Sequence, residues 1–279
     1  MDININKIYK ENYKSNFYYS FAFLPKNKRT AINKFYSFCQ ISDEIADCDL
    51  EQDIKKKNLQ EWKNELKLAF ESKSNIFILN EIKDIAEQFS IPKSLFFELL
   101  EGMEMDLNNK TYNTFKDLEC YCYKVASVVG LIIIKIVGYK NKTAEDYAIN
   151  LGKALQLTNI LRDVKNDYKM GRIYFPLDDL HNFNVKKEFF KDEILTKELF
   201  NLFQSYYYKA ISYYNAADSL LDKEDKRRFL VPTIMRNIYY SILVKIKDNN
   251  FDVFNYNYKL SKFQKIYIIL KTIIKNIFT

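Results

Sequence analysis

Two short stretches of this chain gather oxygen-bearing side chains at helical spacing. The first is Ser42-Asp43-Glu44-Ile45-Ala46-Asp47. A helix turns about 100° per residue, so Asp43 and Asp47 lie only about 40° apart and share a face. The second runs from Gln156 to Asp167, with Asn159 and Asp163 between them. These four residues span an arc of about 80°, and Gly152 falls within it. A polar stripe usually marks a solvated helix face. This one holds carboxylates, carboxamides and a glycine but no lysine, and its flanks (Leu155, Leu157, Ile160, Leu161, Val164) are apolar. The helix is therefore expected to lie inside the protein, its stripe facing that of Asp43 and Asp47 across a helical bundle. Four carboxylates buried together would repel one another unless cations balanced them.

The donor set selects the cation. Carboxylates with an amide carbonyl suit Mg²⁺, which keeps waters and shares its coordination with substrate phosphates. Zinc is not expected. Cys39, Cys48, Cys120 and Cys122 lack zinc-ligand spacing, and His181 is the single histidine. Mg²⁺ in an apolar bundle points to ionisation of a diphosphate, the metal taking up the leaving group's charge. The carbocation left behind needs a dry pocket of aromatic faces, and the chain has 22 Tyr and 22 Phe.

The elements that must position these groups are helices. The 279 residues include 5 Gly and 4 Pro, about 3% breakers against roughly 12% in average usage. Strand-rich folds need turn residues every 8–12 positions, and dinucleotide-binding loops need clustered glycines. Neither can be built from this inventory. An all-α fold in one domain is expected, because no linker-like segment interrupts the chain.

Periodicity predicts helices over Lys26–Asp47, with Pro25 just before the start, and over 52–71, 76–89, 93–108, 114–138 and 143–168. A capping-box variant, Thr143 with Asp146, opens the last of these, and Gly171 and Pro176 follow its end. Beyond a polar stretch from Asp178 to Lys187, helices are predicted over 193–222, 224–247 and 260–278. The apolar run from Val125 to Tyr139 contains Lys135 and is too short for a bilayer, so a buried helix is expected there.

The 43 basic and 36 acidic residues give a net charge of +7, scattered along the chain rather than gathered in a stripe. Nucleic-acid binding is not expected, whereas a basic surface suits anionic substrates or an acidic membrane face. The first 16 residues lack the apolar core of a signal peptide, and the cysteine pattern suits a reducing cytoplasm. The last helix mixes Lys262, Lys265, Lys271 and Lys275 with Ile266, Ile269, Leu270, Ile273, Ile274 and Ile277. It is read first as packing its apolar face on the core. Contact with the inner membrane face is the alternative.

Along nearly its whole length the chain resembles the squalene/phytoene synthase family. The resemblance rests on Ser15-Asn16-Phe17-Tyr18-Tyr19-Ser20-Phe21 with Leu24-Pro25, and on Phe35-Tyr36-Ser37-Phe38-Cys39 leading into the first aspartate stretch. It continues through Gly102-Met103-Glu104-Met105-Asp106, the segment from Tyr121 to Gly130, and the block from Leu155 to Gly171-Arg172-Ile173-Tyr174-Phe175-Pro176. The Gly102 and Tyr121 segments look most like the bacterial presqualene diphosphate synthase branch.

The resemblance implies a single-domain isoprenoid-synthase helical bundle with a central cavity. It implies Mg²⁺ on Asp43, Asp47, Asn159, Asp163 and Asp167, with Gln156 and Arg162 positioning diphosphate. Tyr36, Tyr121 and Tyr239 match tyrosines that contact substrate or steady the cation, and Tyr174 joins the substrate contacts. Phe17 and Phe21 match prenyl-chain contacts, and Val125, Val129 and Gly130 the apolar tunnel wall.

The implied reaction joins two farnesyl diphosphates head-to-head into presqualene diphosphate. Phytoene synthesis from geranylgeranyl diphosphate is the enzymatic alternative, and a non-catalytic assembly protein of the same fold is another. Two departures from the family pattern bear on substrate use: Gln40 and, in Phe254–Lys259, Asn257 stand where arginines are common. Neither supplies a guanidinium fork, and Lys259 is the nearest substitute charge. Glu44 takes the place of a common third aspartate.

Overall fold

The computed structural model describes residue 21, residues 24–108 and residues 111–277 (of residue 277 the backbone only). Among these residues there are helices and no strand, as the scarcity of Gly and Pro predicts. The chain falls into two compact units, Met1–Asn108 with Lys135–Gly138, and Asn109–Ile134 with Tyr139–Thr279.

In the first unit, α1 (Lys26–Asp47) packs against α2 (Gln52–Phe70), α3 (Phe77–Gln88) and α4 (Lys93–Leu107). Its core is aromatic. Phe38 stacks on Trp62 at 5.8 Å, and Phe96 meets Phe35 and Phe38 edge-on at 6.0 and 6.1 Å. The Trp62 indole donates to Ser42 Oγ at 3.0 Å, and that hydroxyl donates to the Phe38 carbonyl at 2.8 Å. This buried polar chain sets the rotation of α1 about its axis. With Ser42, Ile45 and Ala46 turned inward, Asp43, Glu44 and Asp47 are left on the solvent side.

The second unit is built around α7 (Thr143–Lys169). Before it come α5 (Phe115–Cys122), a π-turn (Tyr123–Ser127) and α6 (Val128–Val137). After it come α8 (Leu177–Asn182), α9 (Lys187–Lys191), α10 (Lys197–Leu220), α11 (Lys223–Lys226), α12 (Leu230–Asp248) and α13 (Lys262–Ile277). Helix α7 touches α5, the π-turn, α9, α10 and α12 and buries 11 residues, from Ala144 to Val164. Phe115–Val137 is long and apolar enough to cross a membrane, but 56% of its most apolar window is buried inside the protein.

Several local expectations change. The helix predicted over 114–138 is interrupted by the π-turn, where α7 crosses at very close range. A Cβ on Gly152 would lie 2.4 Å from Ser127 Cα and 2.5 Å from its nitrogen. Gly152 therefore serves helix packing and does not belong to the polar stripe. The Ser127 hydroxyl donates to the Ile149 carbonyl at 2.7 Å and closes the same crossing.

The Thr143 cap does not form. Its hydroxyl donates to the Leu220 carbonyl, and Asn141 Oδ1 accepts the Thr143 N–H instead. A reciprocal capping box starts α5, between Thr114 and Asp117. The polar stretch after Pro176 is partly helical because Leu180 and Phe190 give α8 and α9 each a buried anchor. The helix predicted from 193 begins at Lys197.

Candidate active site

The polar stripe of α7 holds the most informative geometry. Asn159 Nδ2 donates to Gln156 Oε1 at 3.3 Å, while Asn159 Oδ1 is buried with no hydrogen-bond partner among the described residues. Three residues on, the guanidinium of Arg162 grips the Asp163 carboxylate with both arms, Nε to Oδ1 at 2.8 Å and Nη2 to Oδ2 at 2.5 Å. Burial alone would lower the pKa of Arg162. Asp163, together with a hydrogen bond and the charge interaction from Tyr239 on α12, outweighs burial and raises it. Three residues predicted for the site thus form one linked group.

Asp167 stands at the end of α7. Gly171 takes the left-handed conformation (φ +78°), and the Arg172 N–H closes back on the Asp167 carbonyl at 2.8 Å. This helix stop brings Asp167 and Arg172 to one small crevice with Ile160, Val164, Tyr174 and Phe190. The extended segment that follows carries Tyr174 onto Tyr121. Their rings stack at 5.1 Å and the Tyr121 hydroxyl donates to the Tyr174 hydroxyl at 3.2 Å. A third ring, Tyr112, lies 5.6 Å from Tyr121 and 6.3 Å from Tyr174. Sequence reasoning missed Tyr112. It precedes α5 in a short polar segment, and no periodicity marks it as buried.

A small apolar pocket with a cavity volume of about 50 Å³ lies between the π-turn, α6, α7 and α12. Val129 and Gly130 line it with Leu151, Leu155, Tyr147 and Met235. Val125 is half-buried and not among its lining residues. The wider π-turn brings Ala126 into line with Val129 and Gly130 instead.

The first motif sits in the other unit. Phe21 is fully buried, and its ring lies 5.3 Å from that of Tyr36. Phe17 lies outside the described residues. Asp43 and Asp47 share the outer face of α1 and are exposed, while Asp163 and Asp167 are half-buried. Among the described residues no group of three or more Asp, Glu, His or Cys comes together that could hold a metal ion. The donor chemistry fits a hard divalent cation, because Asn159 Oδ1 is a buried acceptor that no donor among the described residues meets.

Of the two departures, Gln40 is half-buried and Asn257 is exposed, as is Lys259. Lys165 of α7 donates to the Phe254 carbonyl at 3.1 Å and so ties that segment to the motif helix.

The family profile described as squalene/phytoene synthase matches residues 10–264. The chain belongs to the squalene/phytoene synthase family. Like its relatives it is a prenyl transferase of the head-to-head condensing kind. It is 30% identical over 258 residues to the presqualene diphosphate synthase of Rhodopseudomonas palustris, covering 92% of each chain. It is 32% identical over 257 residues to the phytoene synthase of Arthrospira platensis, covering 87% of this chain and 83% of that one. A crystal structure of a dehydrosqualene synthase in complex with ligand superposes with a TM-score of 0.83 at 28% identity. That match covers 97% of this chain and 95% of the other.

Proposed function

We propose that this squalene/phytoene synthase condenses two farnesyl diphosphates into presqualene diphosphate, releasing one diphosphate, with Mg²⁺ as cofactor. The observation that carries the reading is the unpartnered, buried Oδ1 of Asn159, one helical turn before Asp163. An amide oxygen one helical turn from carboxylates on the same helix face is a donor set that suits a hard cation. The ligands in this proposal are Asn159, Asp163 and Asp167 of α7 with Asp43 and Asp47 of α1. Bound to them, Mg²⁺ would supply positive charge against the departing diphosphate.

The protein's own groups do the rest. Arg162 and Gln156 present donors to diphosphate oxygens, and the hydrogen bond with Tyr239 steadies the guanidinium. Tyr121, Tyr174 and Tyr36 offer ring faces to a cation. Phe21, Val129 and Gly130 hold the apolar chain away from water. Four free cysteines support a cytoplasmic location.

Farnesyl diphosphate is favoured because the match to the presqualene diphosphate synthase relative covers 92% of both chains. The comparable identity to a phytoene synthase supports geranylgeranyl diphosphate as the second reading. Incubating the protein with Mg²⁺ and both substrates in competition, with products read by mass spectrometry, separates the two. Presqualene diphosphate is the expected product, and Asp163→Ala should abolish it. No coupled product from either substrate would overturn both readings.

A further inference from the structure

Helix α13 keeps its most apolar stripe outside the protein. Phe263 is 85% exposed and Tyr267 65%, and Ile266, Leu270 and Ile274 are exposed with them. At about 100° per residue these five side chains fall within an arc of about 100° that contains no charged group. Lys271 borders the arc on one side and Lys262 on the other, both exposed.

The opposite face is pinned in place. Ile269 and Thr272 are buried, and Asn237 Nδ2 donates to Thr272 Oγ1 at 2.9 Å. Lys245 Nζ donates to Gln264 Oε1 at 3.1 Å, and Asn276 Nδ2 donates to the Lys226 carbonyl at 2.9 Å. The helix cannot roll its apolar stripe inward without breaking these bonds.

We propose that α13 docks this protein along an anionic lipid surface, lying in the plane of the interface. Charge complementarity selects that occupant. After Asp252 the chain carries five lysines (Lys259, Lys262, Lys265, Lys271, Lys275) and no acidic residue. An apolar stripe bordered by lysines inserts its hydrocarbon below the headgroups and sets its ammonium groups against their phosphates. A second copy of the same helix would instead bring lysines against lysines. The inference does not depend on which prenyl diphosphate is used.

Co-sedimentation of the full chain with vesicles tests it. Vesicles of phosphatidylcholine mixed with phosphatidylglycerol should bind the protein, and phosphatidylcholine alone should bind about tenfold less or weaker. Added salt should weaken binding to the mixed vesicles. Phe263→Ser with Leu270→Ser, and separately Lys262→Glu with Lys271→Glu, should each lower that binding about tenfold while leaving the melting temperature unchanged, since all four positions are exposed. Equal binding to both vesicle types, or variants that bind like the parent, would overturn the proposal. So would a wild-type dimer in solution that Phe263→Ser with Leu270→Ser dissolves, because the stripe would then belong to a second copy.

Discussion

Arg162 grips the carboxylate of Asp163, its immediate neighbour in the chain, with both arms of its guanidinium. Adjacent helix residues project about 100° apart, so the Arg162 side chain must lean around the helix to reach the carboxylate, and Tyr239 interacts with the same guanidinium. The two side chains are 25% and 31% exposed. The pair is therefore partly screened, and its main value is orientation.

Arg162→Lys keeps the charge and loses the fork. Stability should fall by no more than about 1 kcal/mol, given the solvent access. The kcat/KM for the prenyl diphosphate should fall at least about tenfold, because a point charge cannot hold diphosphate in one orientation. Steady-state kinetics beside a denaturant titration would check both, and an unimpaired kcat/KM would remove Arg162 from diphosphate recognition.

Asn159→Ala removes an oxygen that has no donor among the described residues. An unmet buried acceptor costs about 1–3 kcal/mol, so metal-free stability should stay within about 1 kcal/mol of the parent once lost packing is counted. Wild type should gain thermal stability from Mg²⁺ with inorganic diphosphate, and the variant should lose most of that gain. Melting curves with and without the two ions measure it. Equal gains in both proteins would count against Asn159 as a metal ligand.

The glycines separate two physical costs. Gly152→Ala drives a methyl into the Ser127 backbone, which cannot give way as a flexible side chain would. A loss of about 3 kcal/mol or more is expected. Gly171→Ala meets nothing within 4 Å but must adopt φ +78°, a cost of about 1–2 kcal/mol. Urea unfolding of both variants should reproduce that order.

Alkaline pH should unfold the protein. Burial raises the pKa of Tyr147 and Tyr214, and that of Tyr206, where the Asp179 carboxylate accepts the hydroxyl hydrogen bond at 2.7 Å. Burial likewise pushes Tyr258 up to about 12. A phenol whose pKa is higher folded than unfolded stabilises fully below the unfolded value of about 10, and loses that contribution as pH rises through the folded value. Tyrosinate absorbance should therefore appear in a cooperative step coincident with loss of helical circular dichroism. A gradual titration of all tyrosines with the helices intact would contradict it.

The two motifs differed in how much of them could be read in advance. Both DxxxD spacings and the apolar flanks of α7 follow from helix geometry, so Asp43, Asp47, Asp163 and Asp167 stood out directly. Their surroundings did not. Whether an acid is exposed depends on how its helix is rotated, and for α1 that rotation is set by Ser42 and Trp62, 20 residues apart. Gly152 shows the limit from the other side. Its angular position matched the stripe, yet its missing Cβ answers a backbone contact with Ser127 that periodicity cannot register.

The sequence by itself determined the helical class, the placement of the motif helices and the family, because each rests on composition or on spacing within one segment. Tertiary structure alone decided that Arg162 joins Asp163 to Tyr239, that Tyr112 completes the stack on Tyr121 and Tyr174, and that α13 turns its apolar stripe outward. Each of these is a contact, or a missing one, between side chains that local geometry leaves unrelated. Such relationships arise only when packing fixes the rotation and separation of whole helices.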